Sequence, residues 1–183
     1  KEMTDLLVLD LVDKGLVTDQ MVLTVGYDIE NLSDPARRRL YKGPVTTDHY
    51  GRQVPKHAHG TIHLCRQTSS TQLIMKAVME LYDRIVDKNL LVRRINIVAN
   101  RVVLETSIAK TESFEQLDLF TDYEALQKKE AEETAALERE KTMQKALLDI
   151  KKKYGKNAIL KGMNLEEGAT TIDRNKQIGG HKA

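Results

Sequence analysis

The 183-residue sequence predicts an α+β fold in which an antiparallel-type sheet carries two helices packed on one face, followed by a charged helix and a flexible tail. Three observations point to it. Apolar residues alternate with a period of two in three segments, they recur at helical spacing in two others, and beyond residue 122 charged helix formers replace both patterns. One-faced strands and one-faced helices bury their apolar sides most economically against each other.

Taken in order, residues 2–14 read as a helix. Leu7 and Leu11 lie four apart, Leu6 and Leu9 three apart, and Gly15 supplies a C-terminal stop. Residues 21–28 read as a strand with Met21, Leu23, Val25 and Tyr27 on one face and Thr24 and Gly26 on the other. Residues 31–55 show no period and read as a long insert between two hairpin strands, of the kind that often carries function. A second strand is predicted over 56–66. Residues 68–71 (TSST) then offer N-cap candidates for an amphipathic helix whose stripe is Leu73, Ile74, Ala77, Val78, Leu81, Tyr82, Ile85 and Val86. A third strand covers 92–104, with Ile95, Ile97 and Ala99 opposite Arg94, Asn96, Val98 and Asn100.

The predicted organisation is a domain over 1–108, a linker over 109–122, a charged helix over 123–153 and a flexible tail over 154–183. The charged helix has sparse apolar positions, mainly Leu126, Ala136 with Leu137, Met143, Leu147 and Ile150, which fit either a solvated single helix or a coiled-coil strand. The chain opens on Lys1 rather than Met and is expected to be part of a longer protein. Cys65 is the sole cysteine, so an internal disulfide is excluded. No apolar run is long enough to span a membrane, and a cytoplasmic monomer without a membrane partner is expected.

The net charge of +2 conceals an asymmetry. Between Arg37 and Arg101 there are 13 Lys/Arg against 4 Asp/Glu, which suggests a polyanionic partner for that region. The predicted sheet has one face of Thr24, Gly26, Thr61, His63, Arg94, Asn96 and Asn100, which is polar and lightly basic and suited to lie against a phosphate backbone.

Residues 16–100, containing LVTDQMVLTVGYD, HGTIHL and SSTQLIMKAVMELYDRIVDKNLLVRRINIVAN, resemble the little finger domain of Y-family translesion DNA polymerases of the UmuC/DinB/UvrX kind. Gln116-Leu117-Asp118-Leu119-Phe120 resembles that family's pentapeptide for binding the β sliding clamp, and residues 151–183 resemble the tail of its UvrX-like branch. Three features in this order cover nearly the whole chain.

The resemblance implies that the first strand of the little finger is missing here and that the palm carboxylates, which hold magnesium in the family, lie upstream of Lys1. This part is then expected to be inactive alone, with no catalytic residue, metal or cofactor of its own. It also implies sequence-independent binding of primer–template and damaged DNA, docking on the sliding clamp, and a place in translesion synthesis and the SOS response. Carried onto matching positions, the second strand contributes His59, Gly60, Thr61 and His63, with Gly60 letting a phosphate approach the backbone. The last strand contributes Arg93, Arg94 and Asn96, and Arg52, Lys56 and Arg101 add charge at the rim. The histidines stand where the family often has Arg or Ser. Each of these charges is equally consistent with an ordinary solvated surface. In the clamp peptide Gln116 would hydrogen-bond at one pocket, Leu119 and Phe120 would fill another, and Leu117 and Asp118 would be spacers. The alternative is that Leu117, Leu119 and Phe120 tether the chain to itself, and a further alternative is a clamp-binding adaptor that touches no DNA.

Two other groups of residues stand out. His57, His59, His63 and Cys65 would share a face of a regular strand, but neighbours on one face are about 7 Å apart, too far to share one metal ion unaided. Arg37, Arg38 and Arg39 in the insert fit either a further phosphate contact or a solvated loop.

Overall fold

The computed structural model describes residues 1–108, 123–178 and 181–182. The fold is α+β, as the periodicity predicts, and consists of two compact units. One comprises residues 18–68 and 72–102. The other comprises 1–17, 69–71 and the described residues from 103 onward.

The first of these units is built around strand β1 (Leu16–Tyr27), which enters it at Thr18. Met21, Leu23, Val25 and Tyr27 are all buried, matching the expected face. The strand starts five residues before the predicted boundary. Two short helices, α2 (Glu30–Ser33) and α3 (Pro35–Leu40), and a hairpin of β2 (Val45–Thr47) and β3 (Gln53–Pro55) occupy the insert that showed no period. Each is too short to display one. Then come β4 (Ala58–Thr68), helix α4 (Thr71–Ile85) and β5 (Val92–Asn100). Strand β1 lies between β4 and β5, antiparallel to both.

Helix α4 covers the apolar face. Ile74, Ala77, Val78 and Leu81 are buried at spacings of three and four, and Leu81 and Val86 join Leu23, Val25 and Tyr27 in one cluster flanked by Ala58, Ile62, Ile95 and Ile97. The Tyr27 hydroxyl accepts from the Asp87 amide at 3.0 Å, closing the end of the helix. The insert is fastened to the sheet by Asn31, whose side chain is 1 % exposed. Its Nδ2 donates to the carbonyls of Asp28 and Leu91, and its Oδ1 accepts from the Leu91 amide, all at 2.9 Å.

The predicted third strand is broken. Arg101 adopts φ of +52°, and the chain resumes as β6 (Val103–Leu104), which pairs with Leu16 and Val17 of β1 and completes a four-stranded sheet.

In the other unit, α1 (Glu2–Asp13) ends at Gly15, whose φ of +64° suits the expected stop. It packs against the long helix α5 (Tyr123–Tyr154). Residues 127–136 of α5 are exposed all round, whereas Glu140 and Gln144 are buried. Met143, one of the sparse apolar positions, is 60 % exposed, as in a solvated helix. The buried face was hidden from a hydrophobic reading because polar groups form its centre. The Ser70 hydroxyl donates to Glu140 at 2.6 Å, and Gln144 donates to the Ser69 carbonyl and the Thr71 hydroxyl.

The tail expected to be flexible is instead folded through residue 178. It holds a 3-10 turn (Gly162–Leu165), a short helix α6 (Thr171–Arg174) and β7 (Gln177–Ile178), paired with β8 (His181–Lys182). Glu2 of α1 organises it, accepting from Asn164 at 2.9 Å and from the amides of Thr170 and Thr171 at 2.9 and 3.3 Å. Lys161 pairs with Asp5, and Lys152 of α5 pairs with Asp13. Hydrogen bonds and ion pairs of this kind leave no hydrophobic period in a sequence.

Candidate nucleic-acid interface

A strand with one buried face must present its alternate residues on the other. Strand pairing aligns these into rows. Gln20 stands between His63 and Asn100, Val22 between Thr61 and Val98, Thr24 between His59 and Asn96, and Gly26 beside Arg94. His59, His63, Arg94, Asn96 and Val98 are exposed. Two hydrogen-bonded side-chain pairs cross the face. Thr24 Oγ1 lies 2.9 Å from His59 Nδ1, and Gln20 Nε2 lies 3.3 Å from His63 Nε2. These pairs orient the imidazoles.

Of the expected DNA contacts, His59, Thr61, His63, Arg94 and Asn96 thus share one face. Gly60 does not belong with them. It pairs with Leu23 on the buried side, and a Cβ there would come 2.9 Å from Leu81 Cδ1 and 3.1 Å from Ile85 Cγ2. The absent side chain admits helix α4, not a phosphate. Alternation itself required this, since His59 and Thr61 face the other way.

The rim residues differ from one another. Arg93 sits at an irregularity between the Gly26–Arg94 and Tyr27–Val92 pairs, 3.9 Å from Asp28. Arg52 binds Asp48 through Nη2 at 2.7 Å, and this hydrogen-bonded partner holds the Asp48 carboxyl below the usual carboxylate range. Arg101 lies 3.4 Å from Asp19. Lys56 is exposed in the link from β3 to β4, where its amide donates to the Pro44 carbonyl. Arg94 has no acidic partner among the described residues.

Sequence reasoning passed over a groove beside this face. It has a volume of about 670 Å³ and lies between the hairpin and the end of the sheet, bounded by Tyr50, Arg52, His57, Arg93, Arg94 and Gly26. The ring of His57 stands 6.4 Å from that of His59. Among the described residues, no three His, Cys, Asp or Glu side chains gather closely enough to hold a metal ion. The register between β1 and β4 slips between Gln20–His63 and Thr18–Thr68, so regular alternation ends before Cys65.

The clamp-like peptide Gln116, Leu117, Asp118, Leu119 and Phe120 lies outside the described residues. No helix among those described is long and apolar enough to cross a membrane. Comparison with known proteins returned no match, whether to a protein-family profile, a curated protein or a solved structure.

Proposed function

We propose that the chain binds primer–template DNA without sequence preference through the open face of β4, β1 and β5, and docks on a sliding clamp through Gln116–Phe120, as the C-terminal part of an error-prone translesion polymerase. The observation that carries the DNA half is the convergence of His59, Thr61, His63, Arg94 and Asn96 on one face, which no described element of their own unit covers. Short polar side chains and cations on a flat, stiff support hold phosphates and fix register, but carry no base code. The clamp half rests on the five-residue peptide and on the order in which it follows the sheet.

Binding to duplex DNA is expected to weaken steeply as salt rises, because each neutralised phosphate releases counterions. Replacing both Arg93 and Arg94 by Ala should flatten the slope of log affinity against log salt by about 2. An absence of measurable binding at low salt would refute the grip.

A second reading, a clamp-binding adaptor that touches no DNA, is favoured by the pairing of Arg52, Arg93 and Arg101 with aspartates, which reduces the free cations at the rim. Clamp binding is common to both readings. Leu119→Ala with Phe120→Ala should abolish it and spare DNA binding, and retained clamp binding would move the docking site elsewhere.

A further inference from the structure

Beside the sheet face, the groove carries an exposed tyrosine ring. Tyr50 is 78 % exposed at the tip of the β2–β3 hairpin. The loop beneath it is fixed. Asp48 Oδ1 accepts from the amides of Tyr50 and Arg52 at 2.9 Å, and Oδ2 accepts from Arg52 Nε at 2.8 Å. The Arg52 guanidinium lies 5.0 Å from the ring centroid, over one face of Tyr50, and the His49 ring meets it edge-on at 5.5 Å. Arg93 and Arg94 also line the groove. The two acids of the groove are engaged, Asp48 by Arg52 and Asp28 by the Glu30 amide and by Arg93 at 3.9 Å. The outward cation is therefore Arg94.

We propose that this groove takes an unpaired nucleotide of single-stranded DNA, with its base stacked on the free face of Tyr50 and its phosphate beside Arg94. A rigid aromatic plate opposite a cation is the pairing that single-strand binders use, because every base has a π-face and every nucleotide a phosphate. A cation already placed over the far face of the ring adds to the stack. The volume is in the range that encloses one small organic ligand. Gly26 and Arg94 belong both to the groove and to the open sheet face, so a strand leaving a duplex held on that face enters the groove directly. The inference rests on the proposed DNA binding and extends it to the junction of double and single strands.

Fluorescence anisotropy on the full chain tests it with three labelled probes sharing one duplex. One is blunt, one carries a short oligothymidine overhang, and one carries an overhang of abasic residues that keeps the phosphates and removes the bases. The thymidine overhang should bind about tenfold more tightly than the blunt duplex, and the abasic overhang should forfeit most of that gain. Tyr50→Ala should reduce the thymidine probe to the blunt affinity, whereas Tyr50→Phe should keep the gain. The Tyr50 side chain makes no hydrogen bond among the described residues, so neither variant threatens the fold, and a thermal melt checks this. Equal affinity for all three probes, or an overhang preference that survives Tyr50→Ala, overturns the inference. Salt-sensitive blunt-duplex binding alongside such a failure leaves the proposed function standing. No binding of any probe at low salt defeats both.

Discussion

Asn31→Ala should unfasten the insert from the sheet. In the variant the Leu91 carbonyl keeps its bond from the Asp28 amide at 2.8 Å, and the Asp28 carbonyl keeps that from the Asn31 amide at 3.3 Å. The Leu91 amide loses the Asn31 oxygen, the partner it has in the structure. Two forfeited bonds with satisfied acceptors cost about 0.5–1 kcal/mol each, and an orphaned, half-buried N–H costs about 1–3 kcal/mol more, giving about 3 kcal/mol. For a unit of this size each kcal/mol lowers Tm by about 4–8 °C, so a drop of at least about 10 °C is expected. Thermal unfolding followed by circular dichroism reads the total, and amide exchange at Leu91 reads the local part, which should quicken well beyond that of other β5 amides. A Tm shift no larger than that of an exposed substitution, with Leu91 exchange unchanged, would refute the reasoning. The groove has walls from both the hairpin and the sheet, so the same variant should weaken binding of overhang DNA more than binding of blunt duplex.

Gly60→Val should destabilise the first unit by about 1–3 kcal/mol in chemical denaturation, because the new side chain meets the side chains of Leu81, which is fully buried, and Ile85; an unchanged midpoint would return Gly60 to the open face. Burial pushes the Glu2 carboxyl up, but hydrogen bonds from Thr171, Asn164 and the Thr170 amide outweigh it and hold the group at about 2 against an ordinary 4.5. A depressed acid stabilises the folded state above its unfolded pKa and ceases to do so as pH falls through the folded one. Between pH 4.5 and about 2 the tail should therefore loosen from α1. The shift corresponds to about 3 kcal/mol at most, and solvent screening of a partly exposed group reduces this to about 1 kcal/mol. Glu2→Gln should remove that part of the acid dependence, as measured by proteolysis of the tail across pH, and an unchanged profile would assign it to other carboxylates.

The parts of the fold legible in the sequence are those in which one physical requirement repeats. Met21 to Tyr27 alternate because one face is buried along the whole run, and Ile74 to Leu81 recur at helical spacing because α4 has one partner surface. The start of β1 was not legible, because Thr18, Asp19 and Gln20 lie at a register shift where alternation lapses. Nor was the hold on α5 and the tail, where Glu140, Gln144, Glu2 and Asn164 act through hydrogen bonds that a hydrophobic pattern reads as solvated surface. For the candidate site, strand phase alone places His59, Thr61, His63, Arg94 and Asn96 together. Gly60 adjoins them in the motif but not on the surface, because alternation turns it to the buried side. Tyr50 is not legible in the sequence, because its setting depends on Asp48 and Arg52 of the same hairpin and on Arg94, some forty residues away, lining the same groove.

The uneven burial of α5 gives a single continuous helix two lifetimes. Residues 127–136, about 15 Å of helix at 1.5 Å per residue, bury no side chain, and a helix held mainly by its own backbone bonds is marginal at so short a length. Residues 137–151 open only when their contacts with α1 and with Ser69–Thr71 let go. Amide exchange should accordingly fall by orders of magnitude along the helix, and a protease should nick the first stretch while the second stays seated.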